Sequence, residues 1–206
     1  MKQDACTVEL VPFAAIDPPA LVALINDAYL RYEILAAPRV SLADFLDEAQ
    51  TDSEFLIARA GGHTVGCAMV YPADRFFAAA AANGTRHGSG SIEAAGAEPP
   101  AEAPCTPDPQ STLPFAGDLA DALYFGLAAV RRGAQGFGVG QQLVANAEAV
   151  ARKRGAARIV LTTLREFGLI DYYARFGYHL VGTEAYPAGH WAVTVPHTFC
   201  YMEKRL

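Results

Sequence analysis

The chain has 206 residues, 52% of them hydrophobic, and a formal net charge of −6. That length fits one domain with an appendage, and the acidic balance argues against nucleic acid, whose phosphates call for a basic face. The longest clean apolar run, "ALYFGLAAV", is far too short to cross a bilayer.

In chain order, "CTVELVPF" alternates apolar and polar residues and reads as a strand. The early acid and the lack of a long apolar region near Met1 give no sign of a signal peptide. "DPPALVALINDAYLRYEIL" opens on prolines, which suit a helix start. Leu21, Leu24, Ile25, Ala28 and Tyr32 then recur at helical spacing. "SLADFLDEAQ" predicts a second short helix, with Ser41 as N-cap and Asp44 at the capping-box position. "EFLIARAGGHTVGCAMVY" is strand, Gly-Gly turn, strand.

The texture then changes. "RFFAAAAANG" reads as one short helix stopped at Asn83-Gly84. The stretch that follows, to Gly117, holds six of the thirteen prolines and few large apolar groups. It cannot bury enough surface to offset its ordering entropy, so the segment at about 75–117 is expected to be a disordered insertion in a single domain spanning 1–206.

Periodic structure resumes with "ADALYFGLAAV", a buried strand, and a helix predicted over Gln141–Arg154, with Leu143, Ala147, Val150 and Ala151 on one face and Gly155 as its stop. "ARIVLTTL" is a further strand. "FGLIDYYARFG" predicts a helix with a stripe at Leu169, Tyr172, Tyr173 and Phe176, and "YHLVGTEAY" and "HTFCYMEKRL" are final strands. The order β-α-α-β-β, insertion, β-α-β-α-β-β is that of an α/β fold with helices on both faces of one mixed sheet.

Four cysteines, at 6, 67, 105 and 200, lack any metal-finger or CxxC spacing and read as reduced thiols of a cytoplasmic protein. Five scattered histidines show no metal-ligand spacing. The stretch with chemistry in it is "AAVRRGAQGFGVGQQLV", where Gly136, Gly138 and Gly140 remove side chains between a strand and a helix. The first turn of a helix carries N–H groups with no internal partner and a partial positive charge. Without Cβ atoms such a turn can close around a phosphate or diphosphate. The loop lies too far along the chain for a dinucleotide fingerprint. Gln141-Gln142 stand where a nucleoside-triphosphate loop has Lys and Ser or Thr. Tight strand-to-helix packing is the plain alternative.

Gln135, Gly138 and Gly140 fit a pattern of Gln or Arg, two residues, Gly, one residue, Gly or Ala. "Y173-AR-F176-G177-Y178" and the terminal "FCYMEKRL" follow in order. Together these resemble the GNAT N-acetyltransferase family, closely over 122–206 and by element order before that. The resemblance implies a mostly antiparallel central sheet, the acyl-CoA N-acyltransferase fold, and acetyl-CoA as acyl donor without a metal. It implies donor contacts at Ala128 and Val130 with the pantetheine arm, and at Gln135, Gly136, Phe137, Gly138, Val139 and Gly140 with the diphosphate. It also implies that Tyr173 is the acid that protonates the leaving thiolate, with a main-chain N–H near Ala128 for the oxyanion. Arg131 or Arg132 is expected either to reach the adenosine phosphate or to lie solvated at the strand end.

Three departures from the family pattern stand out: Arg132 replaces a common Pro, Glu166 replaces a common Asn, and Tyr124 replaces the Glu that serves some members as base. Asp118, Asp121, Asp27, Glu33 or water remain as bases. The acceptor is expected to be a primary amine, of a small molecule rather than a protein, held by residues around Ala28 to Pro38 and by "YPAGHWAVTVPHT", with Tyr29, Tyr32 and Trp191 as aromatic walls. Pairing of two copies through edge strands is implied by the resemblance alone. The alternative from another class is a module that binds acyl-CoA and regulates without turnover.

Overall fold

The computed structural model describes residues 6–36, 40–48, 53–77, 115, 119–189 and 193–206. Seven strands form one sheet: β1 (Thr7–Pro12), β2 (Glu54–Ala60), β3 (His63–Pro72), β4 (Ala122–Val130), β5 (Arg158–Leu164), β6 (His179–Tyr186) and β7 (His197–Arg205). Their spatial order is β1-β2-β3-β4-β5-β7-β6. Every neighbouring pair is antiparallel except β4 with β5.

Among the described residues, α1 (Pro18–Tyr29), α2 (Leu42–Glu48), α3 (Val139–Lys153) and α4 (Ile170–Ala174) pack on the two faces. In α1 the Asp17 carboxylate accepts the Ala20 N–H at 3.2 Å, with Pro18 at the first helical position. Leu21, Leu24, Ile25 and Ala28 are buried at spacings of three and four, so one stripe of α1 faces the sheet. Phe45 anchors α2 to the same core, fully buried beside Phe55. Burying side chains of this size contributes about 1.5–3 kcal/mol each.

On the opposite face, α3 places Val139, Leu143, Val144 and Ala147 against Leu56, Ala58, Ala68, Val70, Ile159 and Leu161, and Ala151 is buried further along the helix. α3 begins two residues before the predicted Gln141, because Gly138 adopts the left-handed conformation (φ 81°) and serves as its cap. α4 is shorter than predicted. Arg165–Phe167 form a separate 3-10 turn, Gly168 turns left-handed (φ 67°), and only Ile170–Ala174 is α-helical. Of its expected stripe Tyr173 is buried, while Leu169, Tyr172 and Phe176 are half-buried against the same core.

The β2–β3 turn is Gly61-Gly62, both with positive φ (55° and 76°), as a two-residue hairpin requires. Most of the segment at 75–117 lies outside the described residues, as do Pro38, Cys105, Asp118 and Trp191 and the side chain of Asp44. Its two described ends are built into the fold. Residues 73–77 form a helical turn, and Phe77 and Phe115 are buried with ring centroids 5.2 Å apart.

Candidate active site: a cleft between two splayed strands

The site starts from the pairing of β4 with β5. Ala122, Leu123 and Tyr124 pair with Arg158, Ile159 and Val160, and the ladder stops there, although β4 runs on to Val130 and β5 to Leu164. The paired end is pinned by Arg158, which is buried and bonded to Asp121 at 3.1 Å and Glu203 at 3.3 Å. Beyond Tyr124 the strands separate, and a cavity of about 730 Å³ opens between them. Its size lies in the range of small-molecule and cofactor pockets.

A bulge shapes the β4 wall. Gly126 pairs with Met69 and Ala129 with Cys67, so Leu127 and Ala128 together oppose Ala68. Leu127 takes the extra turn with φ 46°, the one left-handed non-glycine among the described residues. Such a bulge bends the strand and leaves ladder groups unpaired. Ala128, Ala129 and Val130 line the cleft just after it.

The glycine loop forms the mouth. Gly136 and Gly138 both have positive φ (83° and 81°), and a Cβ at either would meet nothing within 4 Å, so conformation rather than crowding calls for glycine there. The side chain of Gln135 turns back and donates from Nε2 to the Val130 carbonyl at 2.9 Å, holding the loop against the strand end. The N–H groups from Gly136 to Gly140 take no partner among the described residues. They lie at the N-terminal end of a 15-residue helix, where main-chain amides and the helix dipole can attract an anion.

The far wall comes from α4. Tyr172 and Tyr173 both line the cleft. The Tyr172 hydroxyl lies 2.6 Å from where a Gly140 Cβ would stand, at the loop. The Tyr173 ring instead packs edge-on against Phe125 (centroids 6.5 Å) on β4, next to the point where the strands part. Burial pushes the Tyr173 phenol well above its ordinary value, and the Tyr172 and Tyr32 hydroxyls add to the effect.

Of the expected donor-binding residues, Ala128, Val130, Gln135, Gly136, Gly138, Val139 and Gly140 line this cleft. Phe137 does not, and it is 59% exposed. Arg131 and Arg132 are not on its wall. Arg132 is ion-paired to Asp27 at 3.3 Å and also donates its main-chain N–H to that carboxylate, while Arg131 borders a separate cavity beside β1 and α1. Two arginines that the sequence reading passed over, Arg31 and Arg175, line the cleft in their place. Arg175 lies three residues after Tyr172, and that spacing was the available signal.

On the acceptor side, Ala28, Tyr29 and Tyr32 line the cleft. Tyr32 stacks on Phe167 (centroids 3.9 Å, planes 21° apart), joining the end of α1 to the 3-10 turn after β5. Leu35 bridges to Val193, and the Thr194 N–H and hydroxyl both donate to the Ile34 carbonyl, so the two segments expected to build the acceptor wall are tied together. Tyr124, in the position of a possible base, is buried. Its hydroxyl pairs with that of Thr162 at 2.7 Å, and its ring stacks on Phe76. Glu166 accepts the Thr198 N–H at 3.1 Å. Of the carboxylates considered as base, Asp27 and Asp121 are ion-paired to arginines and Glu33 is exposed off the cleft wall.

Among the described residues no group of His, Cys, Asp and Glu is arranged to hold a metal, and no helix is long and apolar enough to cross a membrane. Cys6, Cys67 and Cys200 are free thiols.

The seven-strand sheet with its flanking helices has the acyl-CoA N-acyltransferase fold. The structure aligns with a ribosomal-protein-alanine N-acetyltransferase from Brucella melitensis, at TM-score 0.59 and 20% identity, over 97% of this chain and 99% of that one. It aligns with an N-acetyltransferase from Staphylococcus aureus Mu50, at TM-score 0.60 and 12% identity, over 98% and 99% of the two chains. It also aligns with a putative acetyltransferase, yncA, from Salmonella typhimurium, whose structure holds its cofactor acetyl-CoA, at TM-score 0.59 and 15% identity over 98% and 95%. No curated protein sequence matches the chain. Residues 115–178, which carry the bulge, the glycine loop and α4, match the acetyltransferase (GNAT) family model. The match to the GNAT acetyltransferase family model is thus confined to the segment that builds the cleft, and the structural neighbours share the fold of the whole chain.

Proposed function

We propose that the chain transfers the acetyl group of acetyl-CoA to the primary amine of a small molecule, with the acyl donor lying along β4. The carrying observation is the junction of two features. The β4–β5 ladder ends at Tyr124–Val160, and the opening it leaves runs to a glycine loop with unpartnered amides. When bound, acetyl-CoA supplies an activated acyl group on a thiol leaving group.

The residues of this chain do the rest. Main-chain groups of Ala128, in the bulge, and of Val130, beyond it, hold the pantetheine arm in the place of a missing strand. The amides of Gly136 to Gly140 hold the diphosphate. A β4 N–H beside Ala128 stabilises negative charge on the thioester oxygen during attack. Tyr173, close to the parting of the strands and kept protonated by burial, gives its proton to the departing sulfur.

The acceptor wall supports a compact amine over an extended polypeptide. Tyr29, Tyr32 and Phe167 pack ring to ring there, and the Leu35–Val193 bridge closes the wall on one side. Flat aromatic and apolar surfaces suit an amine with an aromatic or apolar body. Two copies pairing along a free sheet edge, β1 or β6, belong to the same reading and are detected by light scattering.

The test is release of free thiol from acetyl-CoA with a panel of small amines and of peptides bearing free N-termini or lysines. Turnover with small amines and none with peptides is expected. Turnover confined to peptides overturns the acceptor assignment. Tight acetyl-CoA binding with no thiol release on any amine overturns the catalytic reading in favour of a regulatory module.

A further inference from the structure

The cleft's charge runs opposite to that of the chain as a whole. The chain carries a net −6, yet among the described residues no aspartate or glutamate lines the cleft, and two arginines do. Arg31, just past the end of α1, donates from Nη1 to the Gln135 Oε1 at 3.3 Å, which places it at the start of the glycine loop. Arg175, just past the end of α4, lies with its guanidinium carbon 5.3 Å from the centre of the Tyr172 ring, whose hydroxyl reaches Gly140 at the loop's other end. Neither has an acidic partner among the described residues. Arg132 and Arg158, by contrast, are ion-paired, the first to Asp27 and the second to Asp121 and Glu203.

Each cleft arginine also rests on a tyrosine that lines the same cleft. Arg31 lies 4.9 Å from the centre of the Tyr32 ring, and Arg175 lies 5.3 Å from that of Tyr172. A ring beneath a guanidinium attracts it and restricts its rotamers, so less freedom remains to be lost when an anion arrives. Guanidinium is planar, stays charged, and matches phosphate oxygens with paired N–H donors. Exposed side chains at both ends of an anion-binding loop, held open by aromatic faces and free of carboxylates, are a built receptor for phosphate charge.

We propose that Arg31 and Arg175 form a two-sided clamp on the phosphates of the acyl donor. Arg31 closes from the α1 side at Gln135, and Arg175 from the α4 side at Gly140. The assignment rests on the reading of the cleft as the acyl-CoA site and goes beyond it, because the loop amides alone would hold a diphosphate. It makes the donor's phosphate part, and not its thioester, the source of affinity at the mouth.

The experiment is calorimetric titration of Arg31→Gln, Arg175→Gln and the unaltered chain with acetyl-CoA and with S-acetyl-pantetheine, which lacks the nucleotide phosphates, at three salt concentrations. Both side chains are exposed, so thermal melts of the two variants should match the parent. Each substitution should weaken acetyl-CoA binding about tenfold, leave acetyl-pantetheine binding within twofold, and flatten the fall of acetyl-CoA affinity with salt. Unchanged acetyl-CoA affinity in both variants overturns the clamp. So does an affinity loss with an unchanged salt slope, since that assigns the loss to packing. Failure of the unaltered chain to bind acetyl-CoA refutes the donor reading itself, a result separable from either of these.

Discussion

Tyr172 and Tyr173 are adjacent in the chain, yet α4 sends them to different parts of the cleft: Tyr172 to the loop at Gly140, Tyr173 to Phe125 where the strands part. In the proposed mechanism that division leaves Tyr173, and not Tyr172, to give a proton to the thiolate. Tyr173→Phe should lower turnover at least tenfold while acetyl-CoA affinity stays within twofold, read by steady-state kinetics beside titration. Unchanged turnover would remove Tyr173 from the chemistry. Burial raises its pKa, so the phenol keeps its proton through the neutral and mildly alkaline range. The turnover profile should therefore climb with pH as the amine loses its proton, with no descending limb below pH about 10. A second residue gives a stability signature. Burial pushes the Cys67 thiol well above its ordinary value, up to about 12. Its neutral form is favoured in the fold, so its contribution is intact below pH 9 and is lost as pH rises towards 12. The slope is at most about 1.4 kcal/mol per pH unit for one such group. Melting temperatures measured from pH 8 to 11 should fall, and Cys67→Ala should make the fall shallower.

At the scale of elements, the strands and hairpin were legible because each carries its own local signal. Gly61-Gly62 names a two-residue turn, and the Leu21, Leu24, Ile25, Ala28 stripe names the buried face of α1. The glycine turn between β4 and α3 was legible for the same reason, with Gly136 and Gly138 both at positive φ. What stayed hidden depends on contacts between elements. Nothing in "RRGAQ" says that Arg132 will pair with Asp27 from α1, or that Arg31 will take the place beside Gln135. The β4 bulge was hidden as well, because it is a mismatch in register between two strands and not a property of either. Gly126 supports that bulge in a way that can be tested. A Cβ there would collide with the Tyr124 ring, which cannot swing away because it is stacked on Phe76 (centroids 3.9 Å) and hydrogen-bonded to Thr162. Gly126→Ala should destabilise the fold by about 1–3 kcal/mol, as overpacking does. Gly140→Ala meets only the tip of Tyr172, a movable contact, so it should melt close to the parent while losing acetyl-CoA affinity. Equal losses of stability in the two variants would contradict this account.

At the scale of the whole molecule, one sheet serves two purposes at one point. β4 and β5 pair for three residues, enough to unite the halves β1–β4 and β5–β7, and then part to leave the donor cleft. The segment at 75–117 enters beside that point, and its described ends decide what it demands of the fold. Phe77 and Phe115 touch each other and the Tyr201 ring, and Phe77 also meets Tyr124, so the two ends meet inside the core however long the chain between them is. The cost of closing such a loop grows only with the logarithm of its length. Replacing residues 78–114 by about nine glycine and serine residues gives a linker whose mean span of roughly 16 Å covers that gap. Closing the shorter loop should stabilise the fold by roughly 1 kcal/mol. The shortened chain, with Phe77 and Phe115 retained, should melt at or slightly above the parent temperature and bind acetyl-CoA within twofold. Loss of folding would show that the segment completes the core. Intact donor binding with a collapse of amine turnover would show instead that it builds the acceptor side, and would end its reading as a spacer.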